Sequence, residues 1–433
     1  MDWQQHIARN TVTPEKAVQS VKSGDRVVFA HAAGAPESLV KALVAAGPSL
    51  RNVEIVHLVA LNDSAYCKPE FAENFRFNGL YLSGGTRAAV AEGRADFTPV
   101  FFMEIPGLFR DGVLPVDVAL VTVSPPDDQG RVSLGISVDY TRQAVLSAKL
   151  TIAEINTNMP YIGGDAILDA EEVDIFVKSG DPLPELTPPA VGGVESAIGR
   201  NIAGLIADGA CLQFGIGAVP DAVLHSLGDK KDLGIHSEML SDGAMALVEK
   251  GVITCKRKTL HPGIIVIAFA MGSKKFYKWL DHNPMIKGYP VDYVNDPRVI
   301  GQNDNLVSIN SALSVDLLGQ VAADSMGPRQ FTGVGGQVDF VRGARFSKGG
   351  RSIIAMPATA SKGKISRVCA ALVPGQAVTT SRHDVDTIVT EHGVAELRGK
   401  HNLNRARTLL AVAAPEFREG LAREAFEIYG WRL

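Results

Sequence analysis

Glu238 is the residue of this chain whose type and position best suit chemistry. It follows a window, residues 212–223, whose pattern predicts a short strand, a turn containing Gly215 and Gly217, and the start of a helix. A glycine-rich turn that opens a helix presents backbone N–H groups to an anion or a polarised oxygen. A carboxylate between a strand end and the next helix, beside such a turn, is a candidate nucleophile or base. The alternative is a solvated or helix-capping acid, which composition alone favours.

A second glycine cluster and a downstream lysine are further candidates for ligand contact. Gly333, Gly335 and Gly336 lack side chains and would let a thioester approach the backbone closely. Lys364 offers an ammonium group to phosphates. The alternatives are a strand-joining loop and a solvated lysine. The first glycine turn is not the dinucleotide fingerprint, because the third glycine of that motif would fall at Pro220, which counts against nicotinamide or flavin binding.

Polar residues also occur near predicted strand ends. His31 and Gln213 hold matching places, each at the end of the first strand of its half, where ligands bind in open α/β sheets. The alternative for His31 is a loop histidine with satisfied hydrogen bonds. The ten histidines show no metal-binding spacing and the four cysteines form no C-x-x-C pair. This predicts no metal site and reduced thiols in a cytoplasmic protein.

The elements that must position these residues follow an α/β pattern. Short apolar runs alternate with helical patterns, which predicts mainly parallel sheets covered on both faces. Residues 127–130 are predicted to turn a hairpin between strands 118–123 and 132–134, so the sheets are expected to be mixed. The other predicted strands are 27–30, 53–56, 150–155, 173–177, 212–214, 264–267, 306–309, 352–356 and 387–389.

A proline-rich segment, residues 179–189, divides the chain into two nearly equal parts, because its four prolines stop both helix and sheet. We therefore predict an N-terminal α/β domain over 1–185 and a C-terminal α/β domain over 190–433 that carries the candidate glutamate. Residues 29–40 resemble residues 213–223 in running from a strand through a glycine turn to a proline at a helix start. The likeness fits a duplicated domain, or ordinary helix-start chemistry.

Bulk composition excludes several classes of protein. The 433 residues, 46% of them apolar, suffice for more than one domain. The net charge of −4, without a basic run, argues against nucleic-acid binding. The sequence shows no apolar run as long as a membrane span and no signal-peptide core near the N-terminus. These features predict a cytoplasmic protein without membrane or nucleic-acid partners.

Several windows, taken together, resemble the acetyl-CoA hydrolase/transferase family, the class I CoA-transferases, and within it the 4-hydroxybutyrate and butyryl-CoA:acetate transferases. The windows follow family order and spacing over essentially the whole chain, which favours the functional interpretation of Glu238. His392 stands where the family often carries Tyr, so we assign it no catalytic role. The windows are QFGIGAVPDA (213–222), GIHSEMLSDG (234–243), INSA (309–312), GVGGQVDF (333–340) and VTEHGVAELRGK (389–400).

The resemblance implies two similar α/β domains, an active site in the cleft between them, and ping-pong transfer of CoA between a short-chain acyl-CoA and a carboxylate such as acetate. Glu238 would be the nucleophile that forms a glutamyl-CoA thioester, Gln213 a catalytic donor, and His31 a neighbour of the acyl group or incoming acid. CoA would be a substrate, with no permanently bound cofactor. The residues implied to line the CoA site are Gly215, Ile216, Gly217, Ala218, Val219, Asn310, Gly333, Gly335, Gly336 and Lys364.

Two other functions remain open at this stage. An acyl-CoA hydrolase would use the same Glu238 but admit water to the intermediate. A sensor would bind CoA esters without reacting, since related α/β folds also serve as effector-binding modules. A homodimer or larger homo-oligomer is the expected assembly.

Overall fold

The computed structural model describes residues 2–187 and 190–433, so the last two residues of the predicted proline-rich segment lie outside the described residues. Contacts within the chain group it into two compact units. The first unit comprises Met1–Thr187, Glu238–Leu240 and Ile265–Val294. The second comprises Pro188–Ser237, Ser241–Ile264 and Asn295–Leu433. Neither unit is a single continuous stretch of chain.

Helices and strands alternate through both units. The helices are α1 (Trp3–Asn10), α2 (Pro14–Val18), α3 (Glu37–Ala46), α4 (Arg87–Ala91), α5 (Ile105–Arg110), α6 (Thr141–Ser147), α7 (Gly193–Ala203), α8 (Ala218–His225), α9 (Asp242–Glu249), α10 (Lys274–Leu280), α11 (Val291–Val294), α12 (Pro297–Ile300), α13 (Gln337–Phe346), α14 (Asn402–Val412) and α15 (Pro415–Tyr429).

Each of the eleven predicted strands forms, within a few residues of its predicted ends, but the other strands, including the one that carries Glu238, were not predicted. The strands are β1 (Arg26–Phe29), β2 (Val53–His57), β3 (Phe75–Gly79), β4 (Asp96–Phe97), β5 (Val118–Val123), β6 (Arg131–Ser133), β7 (Leu150–Asn156), β8 (Gly163–Gly164), β9 (Ile167–Asp169), β10 (Ile175–Ser179), β11 (Cys211–Phe214), β12 (Gly234–Leu240), β13 (Ile265–Ala270), β14 (Ile286–Gly288), β15 (Leu306–Ser311), β16 (Ser314–Asp316), β17 (Val321–Ala322), β18 (Ser325–Met326), β19 (Arg329–Gln330), β20 (Arg351–Ala355), β21 (Thr359–Ala360), β22 (Ile365–Ser366), β23 (Val368–Cys369), β24 (Thr387–Thr390) and β25 (Gly393–Glu396).

The main sheet of the first unit has seven parallel strands in the order β10-β7-β5-β1-β2-β3-β4. The chain starts in the middle at β1, adds β2 to β4 on one side, and then returns to add β5, β7 and β10 on the other. Every residue of β5 is buried, as expected for a strand covered on both faces. The strand order therefore reverses beside β1, between the carboxyl ends of β1 and β5.

Helix α3 shows how sequence pattern builds this core. Leu39, Val40 and Leu43 recur at helical spacing and are buried among apolar side chains of β1, β2 and β3. Burying one such side chain stabilises the fold by about 1.5–3 kcal/mol. This packing fixes the helix that follows β1, and with it the loop in which His31 lies.

The second unit repeats this plan. Its strands follow the order β25-β24-β20-β15-β11-β12, all parallel except the antiparallel pair β24 and β25. The first strand, β11, is again internal, with β12 on one side and the later β15 on the other. The strand order again reverses beside the first strand. The predicted α/β class, with similar, mixed and mainly parallel sheets, is confirmed.

Three local predictions were wrong. The turn at residues 127–130 forms, but β6 pairs with β9 and not with β5, and its backbone bonds across the turn are to Ser124 and Asp127, which follow β5. Glu238 lies inside β12, two residues before its end, rather than after it. His31 and Gln213 do not hold matching places, since Gln213 lies within β11 whereas His31 follows the end of β1.

Across residues 2–187 and 190–433, no helix combines the length and apolar character needed to cross a membrane. The same residues contain no group of three or more His, Cys, Asp or Glu side chains arranged to hold a metal ion. The cysteines in this part of the chain are free thiols: Cys67, Cys211, Cys255 and Cys369.

Candidate active site

The turn after β11 is open and strained. A methyl group added to Gly215 or Gly217 would meet no heavy atom within 4 Å. Gly217 has φ +116° and ψ 178°, a conformation that is essentially restricted to glycine, and it is the residue immediately before α8. The turn therefore leaves its backbone accessible at the start of a helix, which is the geometry that suits an anion or a polarised oxygen.

The side chains around this turn differ in exposure. Ile216 is 44% exposed, whereas Val219, in the first turn of α8, is buried. Asp221 lies in the same helical turn, where burial raises the pKa of its carboxyl group and the nearby His225 opposes that rise. The turn thus combines open backbone, an exposed apolar side chain and a half-buried acid.

Gln213 and Asn310 form a reciprocal amide pair. Gln213 Nε2 donates to Asn310 Oδ1 over 3.3 Å, and Asn310 Nδ2 donates to Gln213 Oε1 over 3.1 Å. The two residues lie on neighbouring strands, β11 and β15, at the carboxyl ends where the strand order reverses. Each amide group has two N–H bonds, so each keeps one beyond the pair. Ligands of open α/β sheets bind at such reversal points.

Glu238 is half-buried on β12, a strand tied to its surroundings through side chains. Ser237 Oγ donates to the carbonyl of Phe214 over 3.2 Å and so links β12 to β11. The buried Lys258 donates from Nζ to the carbonyls of Ile235, at 2.8 Å, and Ile264, at 2.7 Å. These bonds fix the backbone that presents the Glu238 carboxylate.

The second glycine cluster also precedes a helix. Gly335 has φ +55° and Gly336 caps the N-terminus of α13. Lys364 is exposed in the loop between β21 and β22, and Ser361 and Lys362 in that loop both have positive φ. The loop holds its lysine at a strained, solvent-facing tip.

His31 is enclosed by a polar network that local sequence did not reveal. Its Nδ1 lies 3.1 Å from Asp139 Oδ2, and its backbone N–H donates to Ser137 Oγ over 2.8 Å. The following residue, Ala32, has φ +53°, a strained conformation for a residue with a side chain. The only sequence signal is the run of polar residues at 137, 139 and 141 within an apolar stretch.

The predicted site residues fall into two groups. Glu238 and His31 belong to the first unit, whereas Gln213, Asn310 and the remaining predicted residues belong to the second. Direct contact is present between Gln213 and Asn310. Asp139 and Ser137 were missed because His31 lies 108 and 106 residues away in sequence. Lys258 was missed because no local motif marks its bonds to the carbonyls of Ile235 and Ile264.

Two protein-family models match this chain. The model of the acetyl-CoA hydrolase/transferase N-terminal domain matches residues 1–184, and that of the C-terminal domain matches residues 272–425. The chain belongs to the acetyl-CoA hydrolase/transferase family.

Two relatives named as CoA-transferases match this chain over nearly the full length. The 4-hydroxybutyrate coenzyme A transferase of Clostridium kluyveri is 55% identical over 424 residues, covering 98% of this chain and 99% of that protein. The crystal structure of a 4-hydroxybutyrate CoA-transferase from Porphyromonas gingivalis is 40% identical, with a TM-score of 0.86, and covers 99% of this chain and 100% of that one. An acetyl-CoA hydrolase of Neurospora crassa is more distant, at 26% identity over 72% of this chain and 66% of that protein.

Proposed function

We propose that this protein is a CoA-transferase that moves CoA between a short-chain acyl-CoA and a free carboxylate. The acyl group is acetyl, propionyl, butyryl or 4-hydroxybutyryl. The observation that carries the proposal is the 55% identity, over 98% of the chain, to a 4-hydroxybutyrate coenzyme A transferase. CoA enters as a substrate, and acetate is one expected acceptor.

In the proposed mechanism Glu238 is the nucleophile. Its carboxylate attacks the thioester carbonyl of the acyl-CoA, which forms an acyl-glutamyl anhydride and expels CoA as a thiolate. The thiolate then attacks the glutamyl carbonyl of the anhydride, forms a glutamyl-CoA thioester and releases the first acid. A second carboxylate reverses both steps and leaves as the new acyl-CoA. A carboxylate serves as a nucleophile when it is oriented and partly desolvated. Glu238 meets both conditions, because it is half-buried and lies on β12, whose backbone is fixed by hydrogen bonds.

Each step passes through a tetrahedral oxyanion that needs fixed donors. The free N–H groups of the Gln213 and Asn310 amides, or backbone N–H groups of Gly215 and Gly217, are suited to this role. One well-placed donor is worth about 3–4 kcal/mol of transition-state stabilisation. The open turn supports CoA binding by residues 215–219, together with Asn310, the glycines at 333, 335 and 336, and Lys364.

Other features follow the family resemblance and stay predictions. They are the homodimeric or larger assembly and the cytoplasmic location. His31 is proposed to lie near the acyl group or the incoming acid.

Sequence similarity gives less support to the alternative that this protein is an acyl-CoA hydrolase. The relative named as a hydrolase matches at 26% identity, whereas the relative named as a transferase matches at 55%. A transferase must exclude water from its anhydride and thioester, while a hydrolase must admit it. Product analysis separates them: a transferase makes new acyl-CoA when acetate is present, and a hydrolase releases free CoA at the same rate with or without it.

Covalent trapping tests the proposal directly. The protein is incubated with acetyl-CoA or butyryl-CoA without an acceptor acid, reduced with borohydride, and mapped by mass spectrometry. We expect a glutamyl thioester, reduced to the alcohol at Glu238. Glu238→Ala should lose both the adduct and transfer, whereas Glu249→Ala, at an exposed carboxylate at the end of α9, should keep both. Activity of Glu238→Ala within tenfold of wild type would remove Glu238 as nucleophile, and intact CoA ester on unmodified protein would indicate a sensor.

A further inference from the structure

A cavity of about 260 Å³ lies within the first unit, between the proline-rich segment and α10. Its lining comes from residues 157–160 after β7, residues 182–185 of the proline-rich segment, and α10 with the adjoining Asp281. The residues proposed to bind CoA belong to the second unit. Pockets for drug-sized ligands have volumes of about 300–1,000 Å³, so this cavity suits a smaller ligand, far smaller than CoA.

Hydrogen bonds hold the walls of this cavity in place. Asn156 Nδ2 donates to the carbonyl of Asp181 over 3.1 Å, and Asn158 Nδ2 donates to the same carbonyl over 3.0 Å. On the other side, the Tyr277 hydroxyl donates to the carbonyl of Pro184 over 2.7 Å. Because prolines also restrict the backbone of this segment, the cavity is formed before a ligand enters it.

The charged side chains of the lining have both signs, two of each. Lys274 and Lys278 are one helical turn apart on α10. Within the described ranges 2–187 and 190–433, neither ammonium group has an ion-pair partner within 4 Å. Glu185 accepts the backbone N–H of Lys274, and Asp281 that of Tyr161, each over 2.8 Å. A carboxylate accepts up to about four hydrogen bonds, so both acids can accept more.

Buried apolar side chains complete the lining. Met159, Pro160 and Leu183 are all buried, and each lines the cavity. An apolar group of a ligand that packs against them leaves water, which favours binding. The cavity therefore offers ammonium groups, carboxylates and apolar surface to one small molecule.

We propose that this cavity binds a small α-amino acid with an apolar side chain. Its carboxylate pairs with the ammonium groups of Lys274 and Lys278, and its ammonium group with the carboxylates of Glu185 and Asp281. Its side chain packs on Met159 and Leu183. A simple carboxylic acid would leave the two acids of the lining without a cation, and a simple amine would leave the two lysines without an anion. The binding is non-covalent and does not depend on the proposed function.

The first test is isothermal titration of the full chain with three compounds of one carbon skeleton. L-leucine carries both charges, 4-methylpentanoate lacks the ammonium group, and 3-methylbutylamine lacks the carboxylate. L-leucine should bind at least about tenfold more tightly than either analogue, since a hydrogen bond to a charged group is worth about that factor.

The second test changes the lining. The double variant Lys274→Met and Lys278→Met should bind L-leucine at least about tenfold more weakly than wild type. Lys275→Met is the matched control, because this lysine is exposed on the same helix and does not line the cavity. Glu185→Gln keeps an acceptor for the Lys274 N–H but removes a charge, so it should weaken L-leucine and not 4-methylpentanoate. Thermal melts confirm that each variant is folded.

Three results would overturn the proposal. They are the absence of L-leucine binding up to about 10 mM, equal affinities for the three compounds, and equal losses in Lys275→Met and the double variant. Competition provides a further check: CoA should not displace L-leucine. Displacement would assign the cavity to the CoA substrate and would also reject the amino-acid site.

Discussion

At the scale of single residues, reactivity in this protein depends on what fixes each side chain. Glu238 lies on a strand whose backbone is bonded through Ser237 and Lys258. A carboxylate held in this way loses less freedom on reaching a transition state than one in a loop. The proposed chemistry should therefore be sensitive to side-chain length at this position.

Shortening the nucleophile gives the first prediction. Glu238→Asp retains the charge but withdraws the carboxylate by one methylene, so transfer should fall at least a hundredfold while the thermal midpoint changes little. Steady-state kinetics and a thermal melt check this. An aspartate variant that transfers CoA rapidly would indicate that the carboxylate is a general base instead.

The second prediction concerns the buried His57 and pH. Its side chain is 1% exposed, bonds Tyr66 through Nε2 at 2.6 Å and stacks on Phe29, and burial lowers its pKa to about 3. Between that value and about 6.5, the usual pKa of histidine, the unfolded chain binds a proton that the folded chain does not. The free energy of unfolding should therefore fall as pH falls through this window, by about 1.4 kcal/mol per pH unit from this group.

Urea unfolding at several pH values measures this effect. His57→Phe should reduce the slope of the unfolding free energy against pH by about 1.4 kcal/mol per pH unit between pH 6 and pH 4. This range lies between the lowered pKa of His57 and the usual pKa of histidine. His282→Phe, at a histidine with 69% side-chain exposure, should keep the wild-type slope. Identical slopes in the two variants would show that His57 does not titrate as described.

At the scale of elements, the turn from β11 into α8 has both a backbone conformation that favours glycine and space for a ligand to reach the backbone. Gly217→Val places a branched side chain at φ +116°, although no atom obstructs it. The strain is of the order of 1–3 kcal/mol and is relieved by moving the turn. CoA affinity should fall at least tenfold while the protein still folds.

Gly228→Val is the matched control, because a methyl group there also meets no atom within 4 Å and its φ lies outside the strained region. Isothermal titration with CoA and a thermal melt compare the two variants. Equal CoA affinities for Gly217→Val and wild type would remove this turn from the binding site.

At the scale of the whole molecule, the units do not coincide with halves of the sequence. The first unit includes Ile265–Val294, and β14 in that segment pairs with β8, at Gly163–Gly164. All six residues of β13 are buried. A fragment that ends near residue 185 would lack these strands and expose the apolar surface that they cover.

The fragment 1–185 should therefore unfold without a cooperative transition. Urea titrations followed by circular dichroism, on the fragment and on the full chain, provide the comparison. A sharp transition in the fragment, at the same urea concentration as in the full chain, would show that residues 1–185 are an autonomous domain.

The sequence alone predicted eleven of the strands, although not β12, and singled out Glu238 as the candidate nucleophile. The apolar run at 118–123 forms β5 with the predicted ends, because a strand that is buried on both faces consists of an almost continuous run of apolar residues. The five windows that include Gln213, Glu238, Asn310, Gly335 and His392 together carried the family resemblance, since each is a contiguous motif.

Only the tertiary structure decided which distant residues meet. His31 and Asp139 are 108 residues apart, and Gln213 and Asn310 are 97 apart, yet both pairs are hydrogen-bonded. The pairing of β6 with β9, rather than with β5, is likewise a choice among competing strands. Such contacts depend on sheet order and packing across the whole chain, whereas a local pattern specifies only the segment in which it lies.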